Sequence, residues 1–139
     1  MAAVTYAITH SAASTSATTP TTAAAPIFTA AEQADAKQNV CKTFDVSSAG
    51  MYSQGGARVD GKPNLPVLQR LLTSTVSIQN SLVPATPGDV AQLARRVVST
   101  NLDVMNAAMG QTSTADLNKL NDAANDATYA LADACGLPR

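Results

Sequence analysis

The chain has 139 residues, a net charge of −1 and only 14% charged residues, against the quarter typical of globular domains. Length allows one domain. The near-zero charge excludes the basic stripe of a nucleic-acid binder and a polybasic membrane surface, and the lack of Trp leaves few stacking platforms for bases.

Residues 1–28 differ from the rest. Ser11 to Ala25 is almost wholly Ser, Thr and Ala, followed by Pro26. Such a segment buries too little apolar surface to offset its ordering entropy, so a disordered tail is expected. A plain flexible linker or an O-glycosylated stalk fits this composition. Ahead of it, Met1-Ala-Ala-Val-Thr-Tyr-Ala-Ile8 is apolar. It is far shorter than the ~20 residues of a bilayer span, and it lacks the features of a signal peptide. Two readings stand: the last turns of a transmembrane or signal helix, making the segment before Ser11 a membrane tether, or an ordinary terminus. The order stub, stalk, domain favours the first.

The domain, 29–139, reads as four helices. In the first, Thr29 can N-cap with Glu32 three residues on, a capping-box spacing. The helix is expected to run to about Met51, where Gly50, Gly55 and Gly56 end it, with Ala34, Cys41, Phe44 and Ser48 facing inward and Val40 and Met51 beside them. The second follows Asn64 as cap, with Pro66 in its first turn. Leu65, Leu68, Leu72, Thr75, Gln79 and Leu82 share one face, widened by Leu71 and Ile78, and Pro84 stops it. The third is capped by Thr86 with Pro87 at the first helical position and Asp89 at the positive end. Its apolar stripe is Val90, Leu93, Val97, Leu102, Met105 and Met109, ended by Gly110. The fourth starts near Ser113 or Thr114. Leu117, Leu120, Ala124, Ala127, Leu131 and Ala134 form an a/d seam before Gly136 and Pro138. Short connections between four helices predict an all-α, antiparallel up-down four-helix bundle behind a disordered N-terminal tail.

Cys41 in the first helix and Cys135 at the end of the fourth are an even pair at the two ends of the domain. They are read as one disulfide made in an oxidising compartment; the alternative is two buried thiols of a cytosolic protein. In an up-down bundle the bridge requires about three turns of the first helix, Thr29 to Gln38, to project past the fourth.

Motifs for chemistry are few. Gly56-Ala-Arg-Val-Asp-Gly61-Lys62-Pro63 matches a P-loop except for the Ser or Thr that should follow Lys62, and it reads as an interhelix loop. The only histidine, His10, lies in the tail. A Ser-His-Asp or Cys-His set therefore cannot be assembled within the domain. Asp122 and Asp126 share a face of the fourth helix but read as a solvated surface, as do Arg95 and Arg96. Thr75, Gln79 and Asn101 lie near apolar stripes, where they either bond across the bundle or line a small pocket. No catalytic, metal-binding or cofactor-binding residues are assigned, so the chain is not expected to be an enzyme or to carry a cofactor.

The apolar stub and stalk, the run Phe28-Thr29-Ala30-Ala31-Glu32 into Ala36-Lys37-Gln38-Asn39-Val40-Cys41, and the closing Ala134-Cys135-Gly136 together resemble a group of mycobacterial and related actinobacterial proteins. These share Ala-rich exported helical domains, commonly behind a single N-terminal transmembrane helix. The resemblance implies a cell-envelope or secreted location, a membrane anchor and a paired role for Cys41 and Cys135. The leading expectation is thus a non-enzymatic domain for protein interaction or envelope organisation, its partner an envelope or extracellular protein. The alternative is a binder of a small apolar ligand or lipid in the bundle interior.

Overall fold

The computed structural model describes residues 27–51 and 55–139; the expectations for the stub and stalk up to Pro26 lie outside them. The chain forms α1 (Ala30–Ser48), β1 (Arg58–Val59), β2 (Lys62–Pro63), α2 (Leu65–Ser81), α3 (Gly88–Met109) and α4 (Thr114–Cys135). α1 packs on α2, α2 on α3, α3 on α4, and α4 returns to α1 through a slighter contact. This is the four-helix bundle expected, closed by a Cys41–Cys135 disulfide whose Cα atoms lie 5.5 Å apart.

Local chemistry explains most helix ends. At α1 the Thr29 hydroxyl accepts from the Glu32 amide (3.2 Å), while the Glu32 carboxylate accepts from the Thr29 amide (2.8 Å). At α4 the Ser113 hydroxyl accepts from the Asp116 amide (3.1 Å), and Gly136 supplies the left-handed turn (φ 67°) that closes the helix. Two caps differ from expectation. Pro87 rather than Thr86 holds the cap position of α3, because the Thr86 hydroxyl instead accepts from the Val83 amide (3.1 Å) and tightens the α2–α3 turn. Asn64 sits at the cap position of α2, but its amide donates to the Gly56 carbonyl (3.0 Å) and makes no side-chain cap.

Three carboxylates at helix ends are held below their ordinary range. Glu32 is lowered by the Thr29 backbone amide and hydroxyl, Asp116 by Lys119 and then Ser113, and Asp133 by Arg139. Each charged form is favoured more in the folded than in the unfolded chain. Their contribution is therefore complete above the ordinary carboxylate values of 3.8 to 4.5 and lost as pH falls through the depressed folded values. The thermal midpoint is expected to be level from pH 7 to 5 and to fall below about pH 4. A midpoint that rises on acidification would contradict these pairings.

The P-loop lookalike is a two-residue hairpin. β1 and β2 pair antiparallel, Arg58 opposite Pro63 and Val59 opposite Lys62, across Asp60 and Gly61. Both turn residues have positive φ (51° and 74°). Asp-Gly is the residue pair favoured by such a turn, a hairpin signal present in the sequence but unused in the helical reading. The hairpin seats Ala57 in the core and directs Arg58 to the end of α3.

The inward faces of three helices match expectation in part: Val40, Phe44, Leu68, Thr75, Ile78, Val90, Val97 and Met105 are buried as expected, and other positions differ. On α1 the buried line is Ala36, Val40 and Phe44, with Ala34 exposed and Cys41 and Ser48 half-buried. α2 buries Val67, Leu68, Ser74, Thr75, Ile78 and Ser81, while Leu65 and Leu72 stay 67% and 48% exposed and Gln79 is exposed. Small hydroxyl residues face α1 because they permit close approach. Ser74 bonds Ser47 across the interface (3.1 Å), and Asn39 reaches the Ser81 carbonyl (3.4 Å). α3, packed between α2 and α4, buries Ala91, Ala94, Ala107 and Ala108 with Val90, Val97, Val104 and Met105, leaving Leu102 and Met109 exposed. On α4 the expected seam holds at Leu117, Ala124, Ala127 and Leu131, with Leu120 and Ala134 half-buried.

The core falls into two clusters. One, near the disulfide, gathers Val40, Phe44, Ile78, Val97, Ala127 and Leu131. The other, near the hairpin, gathers Ala57, Leu68, Val104, Met105, Ala108 and Leu117. The bridge at Cys41 slides α1 along the bundle. Thr29 to Asp35 are exposed, a projection of about 9 Å at 1.5 Å per residue, while Ala36 is already buried. The projection is therefore shorter than the Thr29 to Gln38 expected. The same slide leaves α1 without a residue in the hairpin-end cluster, where α2, α3 and α4 continue and the hairpin completes the wall.

Candidate functional site

Where α1 gives out, a cleft of about 260 Å³ opens among α2, α3, α4 and the segment before the hairpin. Its apolar lining includes Ala57, Val104 and Ala124 of the hairpin-end cluster. On α3 the buried line runs Val97, Asn101, Val104, with an amide standing where a continuous core would place an aliphatic side chain. α4 adds Asn121, Asn125 and Thr128, spaced so that all three project from one face. The opposite wall is apolar, with Val67 and Leu71 from α2 and Ala57 beside them.

Asn101 is 4% exposed, yet its side chain makes no hydrogen bond among the described residues. The side chains of Asn121, Asn125 and Thr128 make none either. Among the described residues no charged side chain lines the cleft. The arrangement offers amide donors and acceptors on one wall and a dry surface on the other, with no group placed for acid–base or nucleophilic chemistry.

Two further surfaces stand out. Between α2 and α3 runs an apolar groove of about 440 Å³ lined by Leu65, Leu68, Leu72, Leu102, Met105 and Met109. Four of these are exposed: Leu65 67%, Leu72 48%, Leu102 41% and Met109 59%. Leu65, Leu72 and the half-exposed Val76 fall within about 40° on a 3.6-residue helix, so they form a straight ridge beside the groove. Between α1 and α2 lies a shallow polar furrow lined by Ser47, Gln69, Arg70, Thr73 and Ser74. Arg70 is engaged there by the Ala49 carbonyl at the end of α1, although its Nε is buried without a partner.

The remaining sequence candidates separate. Thr75 bonds its own helix at the Leu71 carbonyl (2.7 Å) and Gln79 points to solvent, so only Asn101 of that trio lines a cavity and none bonds across the bundle. Asp122, Asp126, Arg95 and Arg96 are exposed. Asp133 pairs with Arg139, whose guanidinium lies 5.8 Å from the Tyr129 ring. His10 lies outside the described residues. Among the described residues no three His, Cys, Asp or Glu gather as a metal site, and no helix is long and apolar enough to cross a membrane.

Sequence reasoning missed Asn121, Asn125 and Thr128 as a group, and the hairpin arginine. The signal for the first was the polar spacing 121, 125, 128 along an otherwise Ala-rich face. For Arg58 none existed, since its partners lie some fifty residues away. Compared with known proteins, the chain matches no family model, no curated protein and no solved structure.

Proposed function

We propose that the chain is a non-enzymatic domain of the cell envelope or extracellular space that acts by binding a partner protein through the α2–α3 face. The observation that carries this reading is the exposed apolar groove. Leu65, Leu72, Leu102 and Met109 lie together at one surface and line a single groove. The compartment is argued from the disulfide, since such bonds persist outside reducing cytosol. A membrane tether through the segment before Ser11 remains part of the proposal.

The test is cross-linking on intact source cells with the wild-type chain and the double variant Leu72→Glu/Leu102→Glu. Both side chains are already largely exposed, so the double variant is expected to keep wild-type helicity while losing the cross-linked partner at least tenfold. Equal recovery by a folded double variant would remove the face from the proposal. Thiols open to alkylation in freshly isolated native protein would remove the compartment.

A second reading, small-ligand binding in the bundle interior, is favoured by one specific observation: the amide of the otherwise buried Asn101, without a partner among the described residues, opens onto the cleft.

A further inference from the structure

The geometry points to the cleft among Asn101, Asn121, Asn125 and Val67 as a binding site for a small, neutral, cyclic amide-like compound, a lactam or pyrimidine-type ring. This inference rests on the second reading above and names the chemical class that the site takes.

The first argument is satisfaction of hydrogen bonds. Buried polar groups in native proteins are almost always paired, and one that is not calls for an explanation. Asn101 lies on α3 next in line to Val97 and Val104; the residue is 4% exposed, and its amide, without a partner among the described residues, reaches solvent only at the cleft. An amide in that position is served by water or by a ligand that enters the cleft.

The second argument is charge. Among the described residues the lining holds three primary amides and the Thr128 hydroxyl, and no acid or base. An ion entering such a site would lose its hydration with no countercharge to replace it. The ligand is therefore neutral. A primary amide presents a carbonyl acceptor and an NH2 donor side by side. That pair matches the adjacent N–H and C=O of a ring amide, which accepts and donates in the reverse order. With Asn121 and Asn125 one helical turn apart, two such edges can be met from α4 while Asn101 meets the ring from α3.

The third argument is shape. Val67 and Leu71 offer the apolar wall that a ring face covers. The cleft volume of 260 Å³ corresponds to about nine water molecules at ~30 Å³ each, room for a single substituted ring. An acyl chain would fill the apolar side but leave the amides unpaired, so a lipid fits less well than a ring amide.

The experiment uses the full chain in its oxidised form, labelled with 15N, and follows the side-chain NH2 signals of Asn101, Asn121 and Asn125. The probes are uracil and 2-piperidone, with decanoate and inorganic phosphate as the charged and lipid-like arms. Saturable shifts of these NH2 groups with a neutral ring probe are expected. Asn101→Leu should weaken binding at least tenfold while unfolding at the same temperature as wild type or higher. Asn118→Ala, on the exposed side of α4, should leave the affinity within twofold. If Asn101→Leu fails to fold, Asn125→Ala takes its place under the same tenfold criterion. Saturation by decanoate or phosphate alone overturns the ring-amide class but leaves small-ligand binding standing. No saturable shift with any probe overturns both, and the amides are then served by bridging water.

Discussion

Reducing the Cys41–Cys135 bridge is expected to lower the unfolding free energy by about 4–5 kcal/mol, from a cross-link between residues 94 apart in sequence. In the chain-entropy view the bond acts mainly on the unfolded chain, whose ends it ties together. The native contacts enlarge its importance. α1 is fixed to α2 along its length but meets α4 only slightly, so the sulfur–sulfur bond is the main tie across that seam. Cys135 also packs against the disulfide-end core cluster, and replacing it removes that contact as well. Small domains of this size have a total stability of about 5–15 kcal/mol. Urea unfolding of the oxidised protein, the reduced protein and Cys41→Ala/Cys135→Ala measures the effect. Hydrogen exchange should rise first in α1 when the bond is absent. Coincident transitions for the oxidised and reduced forms would show that packing alone holds α1.

The second large effect is expected at Arg58. Its Nε donates to the Ala108 carbonyl (2.8 Å), one terminal nitrogen to Thr112 (2.6 Å) and the other to Ala107 (2.6 Å) and Gly110. These are the free carbonyls at and just past the end of α3, which has no basic residue in its own last turn. A hairpin side chain thus neutralises the negative end of α3 and holds the α3–α4 connection. Arg58→Ala is expected to cost about 2–4 kcal/mol, because charge-assisted bonds are lost and half-buried carbonyls are left without donors. Arg58→Lys should recover less than half of this, since an ammonium cannot reach four acceptors from one planar fork. The readout is the denaturation midpoint of both variants together with exchange at the C-terminal end of α3. A lysine variant as stable as wild type would show that only charge matters there.

The logic of Arg58 also explains what sequence reading could reach. Elements whose cause is local were legible: the Thr29/Glu32 box, the Ser113 cap, Gly136, and the Leu and Ala seam of α4 each depend on residues within a few positions. The hairpin was legible too, through Asp60-Gly61, but a helical reading of the whole domain passed over it. The faces of α1, α2 and α3 were legible in part: Val40, Phe44, Leu68, Ile78, Val90, Val97 and Met105 turn inward as expected, while the buried small residues were not foreseen. Hydrophobicity ranks Leu65, Leu72, Leu102 and Met109 above Ser74, Ser81, Ala94 and Ala108, yet the bundle buries the small residues and exposes the large ones.

The amino-acid order by itself set the number of helices, the caps at Thr29, Ser113 and Gly136, and the pair of sulfurs on the first and last helices, because capping, turn chemistry and helical periodicity act over one or two turns. Only the assembled bundle decided which stripe of each helix turned inward, since close approach of helix backbones favours small residues over the most apolar ones. It alone decided how far α1 slid along its neighbours. The packing of α3 on α4 brought Asn101, Asn121 and Asn125 around one cleft, a gathering of residues from two helices that no local rule encodes.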